Sequence, residues 1–287
     1  MEALQKHISN NLLRDFSTLF SRSEVLRWFK DDFKSINIKL SRYNLINHFR
    51  ERTYLDILKK VYKLLEENYP NEYIIKNEFL NNWLRHEIGK SFSLIFNEFR
   101  LGKAIADLSM FNGVSKAFEI KTILDNEFRL SNQLNEYKKL FNEVYIIVPK
   151  EYLHKYSKLD NDIGIISHDY KNKEFQLEKS SKFNNVVDVD ILMNVLHTKE
   201  YIGIVKDYFQ FLPEMNSFNQ FKICKEKLSQ IPHEDLNNIF IKFMKNRKKN
   251  NIFFNKSNSE FNQISLSLNF NNLEKDFLIS KLQNKRL

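Results

Sequence analysis

The stretch between Phe92 and Thr122 constrains the fold most, because its residues alternate between apolar and polar while the flanking sequence has helical spacing. Gly102 and the Asn112-Gly113 pair interrupt this alternation. Such residues favour tight turns between antiparallel strands, so we predict three strands joined by two short connections. The whole chain has few turn formers, with 5 Gly and 4 Pro, which predicts long helices elsewhere.

The flanking regions supply the other elements. Apolar spacing predicts helices and buried strands around the three-stranded stretch: helices over Leu55–Tyr69, Ile75–Lys90, Asn126–Phe141 and Glu234–Lys249, and strands over Val144–Pro149 and Ile163–Ser167. Residues 250–272 are predicted to be loop, with one alternating run, ISLSLNF (264–270), that could pair as a strand. Asp125 is the expected N-cap of the third helix. We therefore predict a mixed α/β (α+β) fold. Its parts are a helical region 1–70, a core 71–182, and a helical region 183–287 with a basic helix end.

Composition narrows the classes of protein. The chain has 287 residues and a net charge of +9, from 45 Lys and Arg against 36 Asp and Glu, which suits either a polyanionic partner or a basic protein without one. A single cysteine, Cys224, excludes an internal disulfide, and no apolar run is long enough to span a bilayer. We expect a cytoplasmic protein without a membrane partner. A P-loop NTPase is disfavoured because no G-x-x-x-x-G-K motif is present.

The alternation brings charged side chains together. Asp107, Glu119 and Lys121 are predicted to lie on one face of the strand pair, since their apolar neighbours must share the other face. A two-residue turn at Gly102-Lys103 would then place Glu98 opposite Asp107. A two-residue turn at Asn112-Gly113 would put Asp107 and Glu119 on opposite faces. We therefore predict a three-residue loop there, with Gly113 at positive φ.

Facing carboxylates repel each other unless a cation lies between them. Oxygen ligands without a nearby cluster of His or Cys indicate Mg²⁺ or Mn²⁺ rather than zinc. Lys121 would then orient a water molecule or a scissile phosphate. The alternative is a solvated polar face on which Lys121 only pairs with Glu119.

Asp107 followed by Glu119-Ile120-Lys121 resembles the D…(D/E)xK signature of the PD-(D/E)XK nuclease superfamily. The predicted element order matches its restriction-endonuclease-like αβββαβ core. Gln133 and Tyr137 on the following helix resemble the QxxxY motif of the RecB-like branch. Residues from about 55 to 249 are similar to a group of bacterial and prophage proteins assigned to that superfamily. The family's usual proline before the motif aspartate is Ala106 here, which leaves that part of the motif incomplete.

The resemblance implies roles for individual residues. Asp107, Glu119 and the Ile120 carbonyl would hold Mg²⁺ or Mn²⁺, with Glu98 or Glu87 as the further acidic residue and Glu98 preferred. Gln133 and Tyr137 would orient the catalytic strand or the phosphate. Basic residues are candidates for contacts with the nucleic-acid backbone, or else for solvated surface positions: Arg129, Lys242, Lys245, Arg247, Lys248 and Lys249.

These inferences predict a metal-dependent nuclease that hydrolyses phosphodiester bonds, with DNA preferred as substrate. The alternative of another class is a catalytically silent nucleic-acid-binding or regulatory module on the same fold. A third is an interaction protein whose helical ends bind a partner. A homodimer and a role in prophage biology or phage defence are further expectations, the last two from the group's setting alone.

Overall fold

The computed structural model describes residues 8–88, 93–123, 125, 128–247 and 255–287. Helices fill the N-terminal part: α1 (Asn10–Ser17), α2 (Arg22–Phe29), α3 (Lys34–Arg42), α4 (Ile46–Phe49), α5 (Tyr54–Asn68), α6 (Glu72–Glu78), a π-helical turn (Phe79–Leu84) and α7 (Arg85–Ile88). The helices predicted at residues 55–69 and 75–90 are confirmed, although the second begins at Glu72 and its predicted end, Lys90, lies outside the described residues.

Strands and two helices follow: β1 (Leu94–Leu101), β2 (Ala104–Phe111), β3 (Ser115–Ile120), α8 (Leu130–Lys138), β4 (Glu143–Pro149), α9 (Leu153–Tyr156), β5 (Gly164–Asp169) and β6 (Glu174–Lys179). Within the described part of the chain they form a six-stranded sheet in the order β1-β2-β3-β4-β5-β6. β1, β2 and β3 pair antiparallel, whereas β3, β4 and β5 pair parallel. The mixed α/β class and each predicted core strand are confirmed; β6 was not predicted.

The remaining helices are α10 (Val189–Val195), α11 (Thr198–Phe209), α12 (Gln220–Leu228), α13 (His233–Arg247), α14 (Asn262–Ser267) and α15 (Asn272–Asn284). The prediction of loop over residues 250–272, with a strand option at 264–270, is wrong for residues 259–267, which form a 3₁₀ turn (Ser259–Phe261) and α14. Every residue of α14 is buried, serines included, so the alternation of Ile, Ser and Leu does not separate a core face from a solvent face. None of the described helices combines the length and apolar character that crossing a bilayer requires.

Contacts divide the chain into two compact units. The first consists of Met1–His86, Asp169–Glu174 and Ile252–Leu287. Its core joins N-terminal side chains such as Phe16 and Trp28 to Leu278 and Leu282 of α15. The C-terminal residues thus complete the core of the N-terminal helices, a long-range contact that the local pattern did not indicate. The boundaries drawn after residues 70 and 182 stay predictions.

The second unit consists of Glu87–His168 and Phe175–Asn251 and carries the sheet except for Asp169 of β5, Glu174 of β6 and the turn between them. In its core, α8 contributes Leu134 and Tyr137, which are buried together with Ala117 and Ile146 of the sheet and with residues of α10 to α13. The Phe240 ring of α13 lies 5.5 Å from the Phe111 ring of β2, centroid to centroid. Apolar and aromatic side chains of this core therefore hold α8 and α13 against the sheet that carries the candidate catalytic residues.

Candidate active site

Two connections set the register of β1, β2 and β3. Leu101 pairs with Ala104 around the Gly102-Lys103 turn, where Gly102 has a φ of +53°. Phe111 pairs with Ser115, so the second loop has three residues, with Gly113 at a φ of +107°. Both predicted connections are confirmed. Since Leu108 pairs with Phe118, the next position in this register sets Asp107 opposite Glu119, and the two carboxylates share a face.

Asp107 interrupts the ladder between β2 and β3. Its Oδ2 atom accepts a hydrogen bond of 2.7 Å from the Ile120 N–H, which a backbone carbonyl would accept in a regular ladder. The Lys121 N–H donates instead to the Ile147 carbonyl of β4, at 2.8 Å. At the motif the backbone therefore no longer pairs with the β2 backbone but stays hydrogen-bonded to β4. The Asp107 carboxylate on one side and the Ile147 carbonyl on the other fix the backbone from Glu119 to Lys121.

Glu119 lies at the centre of the site and is 3% exposed. Its Oε1 atom accepts from Lys121 Nζ at 2.9 Å, and its Oε2 atom lies 2.6 Å from the Tyr137 hydroxyl oxygen. Burial, followed by the charge of Asp107, raises the pKa of Glu119 to about 7, although Lys121 and Tyr137 act in the opposite direction. Without a cation, the pair of carboxylates therefore favours protonation of Glu119.

Tyr137 connects α8 to both carboxylate strands. Its hydroxyl oxygen lies 2.7 Å from the Ile105 carbonyl oxygen as well as beside Glu119, and Gln133, one turn earlier, hydrogen-bonds the same hydroxyl. Burial and the nearby Glu119 raise the pKa of Tyr137, which keeps its proton. The Tyr137 hydroxyl has one proton, so it can donate either to the Ile105 carbonyl or to Glu119. Both hydrogen bonds form only when Tyr137 donates to Ile105 and a protonated Glu119 donates to Tyr137. The predicted grouping of Gln133 and Tyr137 with the motif is thus present.

The start of α8 differs from its prediction. The helix begins at Leu130, with Arg129 at the N-cap position, and the side chain of Arg129 makes no capping hydrogen bond. Asp125 is therefore not the N-cap; its carboxylate accepts a hydrogen bond from the Thr122 N–H at 2.7 Å. An Asp three residues after Thr122 closes a local turn, and this contact competes with capping. Asn126, the predicted first helical residue, lies outside the described residues.

Glu98 and Glu87, the alternatives for a further acidic residue, occupy different surroundings. Glu98 stands between the pairs Asn97–Leu108 and Phe99–Ala106, in the register position of Asp107, but it has a φ of +53° and an exposed side chain. Glu87 acts electrostatically on the Tyr145 hydroxyl. The Tyr145 ring stacks on Phe118. Adjacent residues of a strand point to opposite faces of the sheet, so Phe118 faces away from Glu119. Glu98 stays the preferred prediction.

The basic helix end is partly committed to the fold. Arg247 Nε donates to Glu200 Oε1 at 2.7 Å, and its guanidinium also donates to the Val195 carbonyl. Arg247 therefore ties α13 to α11, and its predicted contact with nucleic acid stays a prediction. Lys242 is exposed and Lys245 half-buried, whereas Lys248 and Lys249 lie outside the described residues.

A cleft of about 470 Å³ opens beside the motif and is lined by Lys121, Phe128, Arg129 and Gln133. Sequence analysis identified three of these residues but missed Phe128, whose side chain is 90% exposed. The signal was available: Phe128 is an aromatic residue in a polar run, two positions before the apolar stripe of α8 begins at Leu130. Lys121 is only 8% exposed, but it lines the cleft and can therefore contact a ligand bound there.

The motif residues fit a hard divalent cation. Mg²⁺ usually takes one or two protein carboxylates and completes its shell with water and phosphate oxygens. Asp107 and Glu119 provide two carboxylates, and the Ile120 carbonyl is a neighbouring oxygen donor. Among the described residues no group of three or more His, Cys, Asp or Glu side chains could hold a metal ion by itself. A bound cation would therefore depend on water and substrate for its remaining ligands.

Comparison with known proteins gives the chain a family. Residues 65–269 match the family model of bacteriophage P4 protein cII. The chain belongs to the bacteriophage P4 protein cII family. Protein cII of Enterobacteria phage P4 is 31% identical over 101 residues, which are 35% of this chain and 36% of that protein. The chain thus matches about a third of the length of this curated relative. No solved structure matches this member of the cII family.

Proposed function

We propose that this cII-family chain is a metal-dependent nuclease that hydrolyses phosphodiester bonds, with DNA as the preferred substrate. The observation that carries the proposal is the grouping of Asp107, Glu119 and Lys121 at one end of β3. Two carboxylates face each other there, and a buried ammonium lies 2.9 Å from one of them beside an open cleft. Charges with little exposure to solvent act more strongly on a reacting anion than charges in bulk water.

Each residue has a defined task in the proposed reaction. Asp107 and Glu119, with the Ile120 carbonyl, would hold Mg²⁺ or Mn²⁺, and Glu98 would bind a water molecule or the cation. When bound, such a cation supplies Lewis-acid stabilisation of the phosphate and a more acidic water molecule. Lys121 Nζ has three protons and donates one to Glu119, so the others are available to orient the attacking water and the phosphate oxygens. Gln133 and Tyr137 position Glu119 from α8.

The surroundings of the site agree with a polyanionic substrate. Arg129 lines the cleft, and the net charge of the chain is +9. Lys242, Lys245 and Lys248 are candidates for contacts with the nucleic-acid backbone. Membership in a phage protein family suggests a task in phage or prophage biology, carried out on cytoplasmic nucleic acid or in defence against other phages.

A second candidate is a nucleic-acid-binding module that no longer cleaves. One observation favours it: both oxygens of Glu119 already contact groups of the protein, Lys121 and Tyr137, so both oxygens have partners without a bound metal ion. A cation must displace the proton or the ammonium to bind, and this costs free energy. Retention of Lys121 next to a cleft favours the nuclease.

The test of the proposed activity is a panel of substrates incubated with the full chain. Supercoiled plasmid, linear duplex, single-stranded DNA and RNA are each treated with Mg²⁺, with Mn²⁺ and with EDTA. We expect cleavage of at least one DNA substrate with either cation and none with EDTA. Binding without cleavage of any substrate in the panel would favour the module, and cleavage in EDTA would contradict the metal requirement.

A further inference from the structure

The cleft beside Lys121 combines positive charge with an aromatic ring. Its described lining contains two cations, Lys121 and Arg129, one amide, Gln133, and the ring of Phe128, but no carboxylate. At about 470 Å³ the cleft has the size of a site for a small organic ligand. An anion that carries a flat apolar group matches this lining, and a nucleotide is such a ligand.

Phe128 is placed outside the core that the neighbouring helix builds. Leu130, Leu134 and Tyr137 of α8 are buried against the sheet, whereas Phe128 is 90% exposed two residues before the helix begins. A single exposed apolar side chain is common on protein surfaces and carries no inference by itself. The inference depends on the position of Phe128, which lines the same cleft as Lys121 and Arg129.

We propose that Phe128 and Arg129 form a nucleotide subsite in which an unpaired base stacks on the Phe128 ring and Arg129 binds the adjoining phosphate. The inference rests on the proposed function, because it places the bound nucleotide beside the scissile phosphate at Lys121. Within a duplex each base is covered above and below by its neighbours. A ring on the rim of a cleft can therefore stack only on a base that is single-stranded, frayed or terminal.

Equilibrium binding tests the subsite without requiring cleavage. Labelled single-stranded oligonucleotide and a relaxed, covalently closed circular duplex, which has no terminal bases, are titrated in EDTA with the wild type, Phe128→Ala and Phe128→Trp. Phe218→Ala is the matched control, because Phe218 belongs to the same unit, is 96% exposed and is not among the residues that line the cleft. Removing a stacked aromatic ring typically weakens single-strand binding by roughly tenfold or more. We expect that loss for Phe128→Ala, recovery in Phe128→Trp, and no change in Phe218→Ala or in duplex binding.

Arg129→Ala adds an independent measurement. If Arg129 contacts one phosphate of the single strand, the slope of log affinity against log salt should become less negative by about 0.7 in this variant. The slope for Phe128→Ala should stay unchanged, because stacking releases no counterions. An equal slope in wild type and Arg129→Ala would overturn the phosphate contact.

The outcomes separate this subsite from the nuclease activity. Weakened single-strand binding in Phe128→Ala, with no cleavage in Mg²⁺, would support the subsite and overturn the nuclease. Cleavage in Mg²⁺ with identical single-strand binding by wild type and Phe128→Ala would overturn the subsite and leave the nuclease standing. A wild type that binds no single strand, or a loss equal for single strand and duplex, would also overturn the subsite.

Discussion

Replacing Lys121 with alanine is expected to reduce metal-dependent cleavage by roughly a hundredfold to a thousandfold, the usual effect of removing one preorganised donor. The Lys121 ammonium is buried at the edge of the cleft, and low solvent exposure strengthens its action on charge that develops on the phosphate. Glu119 keeps its contact with Tyr137 in the variant, so the local structure should survive. The measurement is the single-turnover cleavage rate in Mg²⁺, together with a thermal unfolding curve.

Lys116→Ala is the control for this variant. Lys116 lies on β3, which ends one residue before Lys121, and it forms an ion pair of similar length, with its Nζ atom 3.1 Å from Glu143 Oε2. Loss of such a pair alone should leave the cleavage rate within a few-fold of the wild type. Equal rates in Lys121→Ala and Lys116→Ala would mean that Lys121 is a structural residue.

Replacing Glu119 with glutamine is expected to abolish cleavage and to stabilise the metal-free protein at pH 8. The pKa of Glu119 rises from 4.5 to about 7 in the folded state, so the folded protein binds the proton more tightly than the unfolded chain. The unfolding free energy therefore falls as the pH rises from about 4.5 to about 7, by on the order of 3 kcal/mol. Glutamine carries no charge and is spared this loss.

Urea unfolding in EDTA at pH 5 and pH 8 measures this difference. The advantage of Glu119→Gln over the wild type should be large at pH 8 and small at pH 5. Glu143→Gln removes a carboxylate that pairs with Lys116 and should show no such gain. A variant that is less stable than the wild type at pH 8 would show that Glu119 is held as a stabilising ion-pair partner, contrary to our interpretation.

The part of the site that the sequence could predict is the part with local causes. The alternation of β2 and β3 and the glycines at 102 and 113 determine which residues face each other, so the shared face of Asp107 and Glu119 followed from short-range chemistry. The spacing of Gln133 and Tyr137 follows from one helical turn in the same way. Patterns of this kind do not depend on distant parts of the chain.

The features that could not be predicted depend on distant contacts. Arg247 is of a residue type that often contacts the nucleic-acid backbone, yet it pairs with Glu200, 47 residues earlier. The stretch from Asn262 to Ser267 alternates like a strand, yet burial on all sides allows it to form a helix. Glu98 was placed by strand register alone, and its positive φ takes the backbone out of the regular strand conformation at that position.

The most direct test of the central claim is the binding of Mn²⁺, because it requires no knowledge of the substrate. Free Mn²⁺ is measured by electron paramagnetic resonance while wild type and Asp107→Asn are titrated. Asparagine keeps an oxygen that accepts from the Ile120 N–H but removes the charge. We predict one Mn²⁺ bound per wild-type chain and none at the same concentrations in the variant. A wild type that binds no Mn²⁺, or equal binding by both proteins, would contradict a metal site at Asp107 and Glu119.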